Sequence, residues 1–543
     1  MRGSPVSSTW ILILAALYIV IFGNVAFFRS YLEVYGSAPS ALAHMLSVAV
    51  LLLAVLLVVL SLVCWPGIQK PLLTLLFFMT AMTAYFMDTY NVVIDGEMIS
   101  NLLATDAREV SDLISLRMMA YLFVLGIVPS ILVWMLDVRR ERPVRAVMNR
   151  LALAGCSLVV AVGLIVSSGA FYSSYLRENR ALRYFSNPLT PLYSLYKAVK
   201  PAPGFGSRVL NTIGIDAEIP ETDVSRELVV MVVGETARAD RFSLNGYGRD
   251  TNPELSRLDV VSFSNVMSCG TTTLVSLPCM FSIQGHADFD RAEFDASENA
   301  LDVLKRAGVN VLWRDNNSSS KGVAVRVPQQ DFRSPDVNPD CDVECRDEGM
   351  LSGLREFVDG NPEGDILIVL HQMGSHGPAY YRRYPSSFDR FQPGCESTML
   401  DQCQQSEIEN SYDNSILYTD HFLASVIDFL KGYDPSFETV MFYISDHGES
   451  LGESGVYLHG YPYLIAPDEQ IRVPMIMWFG KNYYDADPAS VRAISSTPLS
   501  HDNIFHTLLG LFEIESGAYE PSKDILQLSR EAEVSSARPG VES

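Results

Sequence analysis

Positive charge is what this chain of 543 residues lacks most: 40 Lys and Arg stand against 63 Asp and Glu, a net of −23. That deficit excludes a nucleic-acid protein working by general basic attraction. Charge of either sign is scarce, at 19% of residues, against about a quarter in soluble proteins. A hydrophobic content of 48% excludes a disordered chain. The length excludes a single domain and predicts about two to four. The scarcity is uneven. Residues 1–170 hold 10 basic and 9 acidic side chains, a net of +1, whereas the remainder holds 30 and 54, a net of −24. Two physically different objects share the chain.

Five runs carry no charge at all: Trp10–Phe28, Leu46–Val63, Pro71–Met87, Met118–Leu136 and Leu151–Tyr172. Each is about long enough for a hydrocarbon core of ~30 Å. A signal peptide is the alternative for the first run, but no small-residue cleavage site follows directly and four more such runs do, which favours a span. Buried core helices are the bland alternative, but so much uncharged length predicts a five-helix transmembrane domain over residues 1–172. Arg139, Arg140, Arg142, Arg145 and Arg150 precede the last span, against Asp137 and Glu141. Such a loop stays in the cytoplasm, and Lys70 and the amino terminus with Arg2 lie on the same side. An odd number of spans then delivers everything after Tyr172 to the outer face.

Residues 173–225 form a predicted bridge of short interfacial helices and linker, with Pro188 and Pro191 as breaks. The outer segment Asn91–Arg117 carries Asn101, Thr105 and Glu109 at i, i+4 and i+8, one face of a helix. Spacing alone makes that an ordinary polar helix at the membrane surface.

Eight cysteines are present. Cys64 and Cys156 lie in spans and read as packing residues. The other six fall as near neighbours, Cys269 with Cys279, Cys341 with Cys345 and Cys395 with Cys403, although six cysteines allow fifteen pairings. Zinc is an alternative reading, but the spacings do not resemble a ribbon or finger. Local disulfides would need an oxidising compartment, in agreement with the loop charges.

From about Arg226, over residues 226–515, short apolar β-branched runs alternate with helical stretches. Leu228–Val233, Val309–Trp313, Ile366–Leu370 and Thr439–Ile444 predict strands, and Ala300–Ala307 and Ser411–Leu430 helices. This is an α/β pattern with a largely parallel sheet. Ligands collect beyond the carboxyl ends of such strands. Glu235, Asp315-Asn316-Asn317, His371, His376 and Asp446-His447 all fall there. His371, nearest its strand, reads as a packing residue. Carboxylate plus imidazole suits zinc with an open position. The Cys269-Gly270-Thr271-Thr272-Thr273 loop offers hydroxyls that a bound metal could activate as nucleophiles, although composition alone favours a solvated turn. Residues 516–543 read as an acidic tail.

Val233-Gly234-Glu235-Thr236, Ser243-Leu244-Asn245-Gly246-Tyr247, Thr251-Asn252-Pro253, Ser268-Cys269-Gly270-Thr271 and Pro278-Cys279-Met280-Phe281 resemble the phosphoethanolamine transferases of Gram-negative envelopes. So do Asp315-Asn316-Asn317-Ser318, Gly374-Ser375-His376-Gly377-Pro378 and Ser445-Asp446-His447-Gly448-Glu449. The resemblance is strongest to the lipid A-modifying branch, which includes the mobilised colistin-resistance enzymes, and runs from the first span to about Phe512. It implies an alkaline-phosphatase/sulfatase-like periplasmic domain and transfer through a phosphorylated threonine, matched here by Thr273. It implies a zinc site at Glu235, Thr273, Asp446 and His447, with a second ion conceivable near the further active-site residues His376 and His459. Lys321 and Ser318 match phosphate-side positions, and Asn101, Thr105 and Glu109 match headgroup residues. The family's disulfides match Cys269 paired with Cys279, Cys341 with Cys345, and Cys395 with Cys403.

The implied activity takes phosphatidylethanolamine as donor and lipid A as acceptor, in the bacterial inner membrane, by a monomer without nucleic acid. It lowers envelope charge and gives resistance to polymyxins and other cationic peptides. Core-sugar or glucan acceptors, phosphoglycerol transfer and a non-catalytic metal-binding role are the rival readings.

Overall fold

The computed structural model describes residues 5–96, 98–99, 113–139, 141–168, 171–172, 182, 184–199 and 210–537. Described residues through Val199 belong to one compact unit and those from Leu210 to another. The bridge expected over 173–225 is therefore divided between them.

Among the described residues of the first unit, four helices are long and apolar enough to cross a membrane: Pro39–Val63, Gln69–Tyr90, Leu116–Met135 and Pro143–Ser167. The bent pair Ser8–Phe22 and Val25–Tyr35, at 52°, supplies a fifth if counted as one span. The first span, expected over Trp10–Phe28, is thus a broken one that extends to Tyr35. It breaks at Gly23–Asn24, where Asn24 Nδ2 donates to the carbonyls of Ile19 and Asn187 at 3.1 and 2.8 Å. Asn187 answers through its backbone N–H to Asn24 Oδ1 at 2.9 Å, and its Nδ2 donates to the Gly23 carbonyl at 2.9 Å. Asp88 Oδ1 accepts from the Ala26 N–H at 2.7 Å, capping the second half of the pair.

The last span also begins earlier than its uncharged run. Pro143 opens the helix, where its fixed φ is suited, so Arg145 and Arg150 lie inside it and not in the preceding loop. Arg150 is buried, and its Nη2 donates to Ser8 Oγ at 2.5 Å and Gln69 Oε1 at 3.2 Å. Hydrogen bonds to neighbouring helices are what let a cation lie there. Pro191 is likewise no break, since it falls in the first turn of Leu189–Val199.

The second unit is built on strands β1 Glu227–Gly234, β2 Val260–Met267, β3 Asn310–Asp315, β4 Gln329–Asp331, β5 Ile366–His371, β6 Glu438–Ser445, β7 Ser450–Leu451, β8 Tyr457–Leu458, β9 Arg472–Phe479 and β10 Leu499–Ser500. Eight of them form one sheet in the order β10-β2-β9-β6-β1-β5-β3-β4, and β7 and β8 form a separate ribbon. Only β9 runs antiparallel to its neighbours β2 and β6, so the largely parallel reading holds. β1 lies at the centre, parallel to β5 and β6. Leu228, Val230 and Val232 enter the core on one face, and Val229, Met231 and Val233 the core on the other. A strand covered on both faces has to be apolar throughout, and each such side chain contributes about 1.5–3 kcal/mol by burial.

The expected helices are present as Ala300–Ala307 and the longer Gln405–Lys431. Of the fifteen pairings open to the six cysteines of the second unit, the structure has the three local ones. Cys269 is bonded to Cys279, Cys341 to Cys345 and Cys395 to Cys403. The link between Cys341 and Cys345 closes the smallest loop, with a sequence separation of 4. That between Cys395 and Cys403 ties the segment before the helix Gln405–Lys431 back on itself. Cys64 and Cys156 are free, but only Cys64 is buried; Cys156 is exposed on its helix, which corrects its reading as a packing residue. A helix flank that meets lipid needs only to be apolar.

The expected tail from 516 is corrected in part. It contains the helix Ile525–Ala537, and Ile525 and Leu526 are buried in the same core as Leu508 and Phe512. Two apolar residues at the helix start outweigh the scattered acids that gave the segment its tail-like composition.

Candidate active site

The carboxyl ends of β1 and β6 adjoin, with Gly234 paired to Ser445, so Glu235 and Asp446-His447 emerge side by side. Each turn is tightly specified. Thr236 has φ of 51°, a costly conformation for a β-branched residue, held by its N–H to Asp446 Oδ1 at 3.2 Å and its carbonyl to the Tyr412 hydroxyl at 2.7 Å. Gly448 admits no side chain, because a Cβ there would stand 2.1 Å from the Glu469 carbonyl oxygen.

Thr273 is the first residue of the helix Thr273–Phe281, whose initial N–H groups lack intrahelical partners and favour anions. The disulfide between Cys269 and Cys279 closes the loop onto that helix. His501 fastens the loop to β6. Its Nδ1 accepts from the Cys269 N–H at 3.1 Å and its Nε2–H donates to the Ser445 carbonyl at 3.0 Å. Burial holds its pKa at about 4, so the ring is neutral, as that pattern requires.

Four sequence-predicted ligands meet at this point. Thr273 Oγ1 donates to Glu235 Oε2 at 3.0 Å and lies 3.4 Å from His447 Nε2. His447 Nε2 is 3.4 Å from both Glu235 Oε1 and Asp446 Oδ2. Its Nδ1–H donates to the Gly448 carbonyl at 2.9 Å, and burial lowers its pKa, which leaves a lone pair on Nε2. A lone pair facing two carboxylates is repulsive unless a cation lies between them. Asp446 Oδ2 is buried and has no donor, and the ligand atoms of Glu235, Asp446 and His447 lie within 4.8 Å of one another. These residues fit a divalent metal with nitrogen and oxygen ligands, as zinc prefers. Asn317 Nδ2 donates to Glu235 Oε2 at 2.8 Å and fixes the carboxylate's orientation.

The remaining predicted residues surround this group. His459 Nδ1–H donates to Glu449 Oε2 at 2.7 Å, and its ring lies 4.4 Å from that of His447 and 5.6 Å from that of His376. His376 is pushed far below the usual imidazole range by burial, and next by the neighbouring His459. Lys321 Nζ donates to Ser318 Oγ at 2.6 Å in a turn where Ser319, Lys321 and Gly322 all have positive φ. Among the described residues, His376 and His459 complete no set of three ligand atoms of their own. Asn101, Thr105 and Glu109 lie outside the described residues. His371 is a packing residue as expected, with Nδ1 on Asp315 Oδ2 at 3.1 Å and its ring against Trp313.

Three positioning residues escape a reading of the sequence. Besides His501, Arg291 donates to the carbonyls of Leu274 and Lys321 at 3.0 and 2.8 Å, tying the lysine turn to the helix that Thr273 opens. The third is Glu449, which the sequence shows only as the end of a motif, although its place two residues after His447 could have marked it as a histidine's partner.

Comparison with known proteins agrees with this geometry. Residues 227–514 match the family model described as Sulfatase, and residues 52–202 that described as Phosphoethanolamine transferase EptA/EptB. The chain is 40% identical to phosphatidylethanolamine transferase Mcr-2 of Escherichia coli, over 95% of this chain and 96% of that one. It is 38% identical to phosphoethanolamine transferase EptA of E. coli strain K12, over 96% of each. The solved integral membrane protein lipooligosaccharide phosphoethanolamine transferase A of Neisseria meningitidis superposes with a TM-score of 0.92 at 33% identity, covering 97% of this chain and 99% of the other. The resemblance read from the motifs therefore holds over nearly the whole length, and the chain belongs to the EptA and Mcr family of phosphoethanolamine transferases, enzymes whose catalytic unit has the sulfatase fold.

Proposed function

We propose that the protein moves phosphoethanolamine from phosphatidylethanolamine to lipid A in two half-reactions joined by a phosphothreonine at residue 273. The observation that carries this reading is the Thr273 hydroxyl at a helix start, 3.0 Å from Glu235 Oε2 and 3.4 Å from His447 Nε2. Glu235, Thr273, Asp446 and His447 would hold one zinc ion, which supplies a Lewis acid that lowers the hydroxyl pKa and offsets phosphoryl charge.

In the first half-reaction Thr273 Oγ1 attacks phosphorus and the bond to the glycerol oxygen breaks. The hydroxyl proton departs toward Glu235 Oε2, its hydrogen-bond acceptor. His459 donates a proton to the leaving diacylglycerol oxygen, and Glu449 at its Nδ1 stabilises the imidazolium that does so. Lys321, braced by Ser318, offsets charge on the phosphoryl oxygens with the helix amino terminus. In the second half-reaction a lipid A phosphate oxygen attacks the phosphothreonine, the bond from phosphorus to Thr273 Oγ1 breaks, and the leaving oxygen takes back its proton from Glu235 Oε2. His376, kept neutral by burial, accepts a proton from the acceptor where one is present.

Asn101, Thr105 and Glu109 would bind the headgroup, with Glu109 pairing with its ammonium. That assignment rests on the family resemblance alone. The amino terminus lies in the cytoplasm and the catalytic unit in the periplasm of a bacterial inner-membrane monomer. The loop charges support that topology, and so do the three disulfides. Adding an ammonium to lipid A weakens attraction for cationic peptides such as polymyxin.

Mass spectrometry of lipid A from cells with and without the gene tests the proposal. A phosphoethanolamine increment on lipid A is expected. Unmodified lipid A with a decorated core sugar or glucan would reassign the acceptor, and a phosphoglycerol increment would replace the donor.

A further inference from the structure

The amino-terminal edge of the sheet carries a second carboxylate cluster, at the other end of β1 from Glu235 and about 26 Å from it at the usual rise per strand residue. β1 opens with Glu227 and β6 with Glu438, paired in register. Asp365 immediately precedes β5. Oxygens of Glu227, Asp223 and Asp365 lie within 4.8 Å of one another, and so do those of Glu227, Glu438 and Asp485. Glu227 belongs to both sets. It is 0% exposed, and apart from the adjacent Asp365 carboxyl no group reaches either of its carboxylate oxygens to donate a hydrogen bond. The Tyr483 hydroxyl, two residues before Asp485, is also buried without a partner.

The chain supplies little positive charge to these five carboxylates. Among the described residues none of them forms an ion pair within 4.0 Å. Arg226 packs its guanidinium 4.4 Å from the Phe437 ring and donates to the Asn361 and Gly364 carbonyls. Arg530 donates to the Asp485 backbone carbonyl. Some oxygens are held by donors: the N–H groups of Ser225, Glu227 and Tyr484 reach Asp223, Asp365 and Glu438 at 3.1, 3.1 and 2.9 Å. Both oxygens of Glu227, the most buried of the five, remain.

We infer that Glu227, with Asp223, Asp365, Glu438 and Asp485 around it, binds a calcium-like divalent cation at the amino-terminal edge of the sheet. Donors of oxygen alone favour a hard cation over zinc. Calcium accepts a cage made largely of carboxylates, whereas magnesium keeps several waters and is seldom held by protein oxygens alone, so a buried carboxylate set suits calcium better. Burial, and next the adjacent Asp365 carboxylate, push the Glu227 carboxyl well above the usual carboxylate range, and a bound cation offsets both effects. The site is structural. It clamps the starts of β5, β1 and β6 to the loop carrying Asp485.

Full-length protein in detergent, loaded with zinc and free of calcium, is titrated with calcium chloride while Tm and bound calcium-45 are followed. The expected result is a saturable rise of about 5 °C with one calcium per chain. Both the rise and the binding are lost in Glu227→Gln, and calcium binding weakens at least about tenfold in Asp485→Asn, a partly exposed position whose change spares the core. No saturable binding, or a rise that survives Glu227→Gln, overturns the inference. In the first case Glu227 and Asp365 share a proton, and in the second calcium acts elsewhere.

Discussion

The two edges of the central sheet hold carboxylates in different company. At the carboxyl edge, Glu235 accepts from Thr273 and Asn317, and Asp446 Oδ1 accepts from the N–H groups of Thr236 and His447. Each acid is oriented by donors, and a histidine lone pair completes the set. At the amino edge, Glu227 is buried among other carboxyls, with no N–H donor on its side chain. Orientation separates a site built to react from one built only to attract a cation, because preorganised donors fix where an oxygen points before substrate arrives.

The sharpest break to attempt is Thr273→Ala. If the carboxyl edge is reactive through this hydroxyl, transfer falls about 10⁴-fold or more with Tm nearly unchanged. Activity retained in that variant would leave the two edges chemically alike. A smaller effect is expected from Asn317→Ala, which removes only the donor orienting Glu235. Zinc affinity, read by competition with a chromophoric chelator, should weaken about 10–100-fold, and an unchanged affinity would show that orientation of the carboxylate matters little.

The smallest effect comes from a third meeting of acids, where the chain provides its own cation. His421 lies 2.8 Å from Glu254 Oε1 and 3.3 Å from Glu348 Oε1. Glu348 first, and then Glu254, raise its pKa to about 9 despite the opposing effect of burial. A raised folded-state pKa gives stability that is full below the unfolded value of about 6.5 and is lost as pH climbs through about 9. The Tm advantage of the parent over His421→Gln should therefore shrink by about 2 °C between pH 6.5 and 9.5. A constant difference would mean that the imidazolium adds nothing.

How much of this was legible follows from where each signal lies. β1, β3, β5 and β6 are continuous apolar runs because both faces are covered, and such runs stand out in a sequence. β2, with the mixed run Val-Val-Ser-Phe-Ser-Asn-Val-Met, and β9, with Pro474 inside it, do not. Asp446-His447-Gly448 at a strand end could be read locally, since three adjacent residues carry the information. Thr273 could not be separated from a solvated turn without the family motifs. The same holds for the bonds from Cys341 to Cys345 and from Cys395 to Cys403, since nearness along a chain does not by itself choose among pairings. His501 and Arg291 were not legible at all, because their partners lie 232 and 30 residues away and no local pattern announces such pairs. The charge-free runs located the spans, but helix ends follow capping and polar contacts, which is why Arg150 moved inside one.

The helix Ile525–Ala537 bears on where the second unit could be cut free for separate production. The matched sulfatase region ends at residue 514, an inviting place to stop. A chain ended there would forfeit the burial of Ile525 and Leu526, about 3–6 kcal/mol, a large share of the ~5–15 kcal/mol that keeps a typical domain folded. The workable expression boundary lies beyond Ala537.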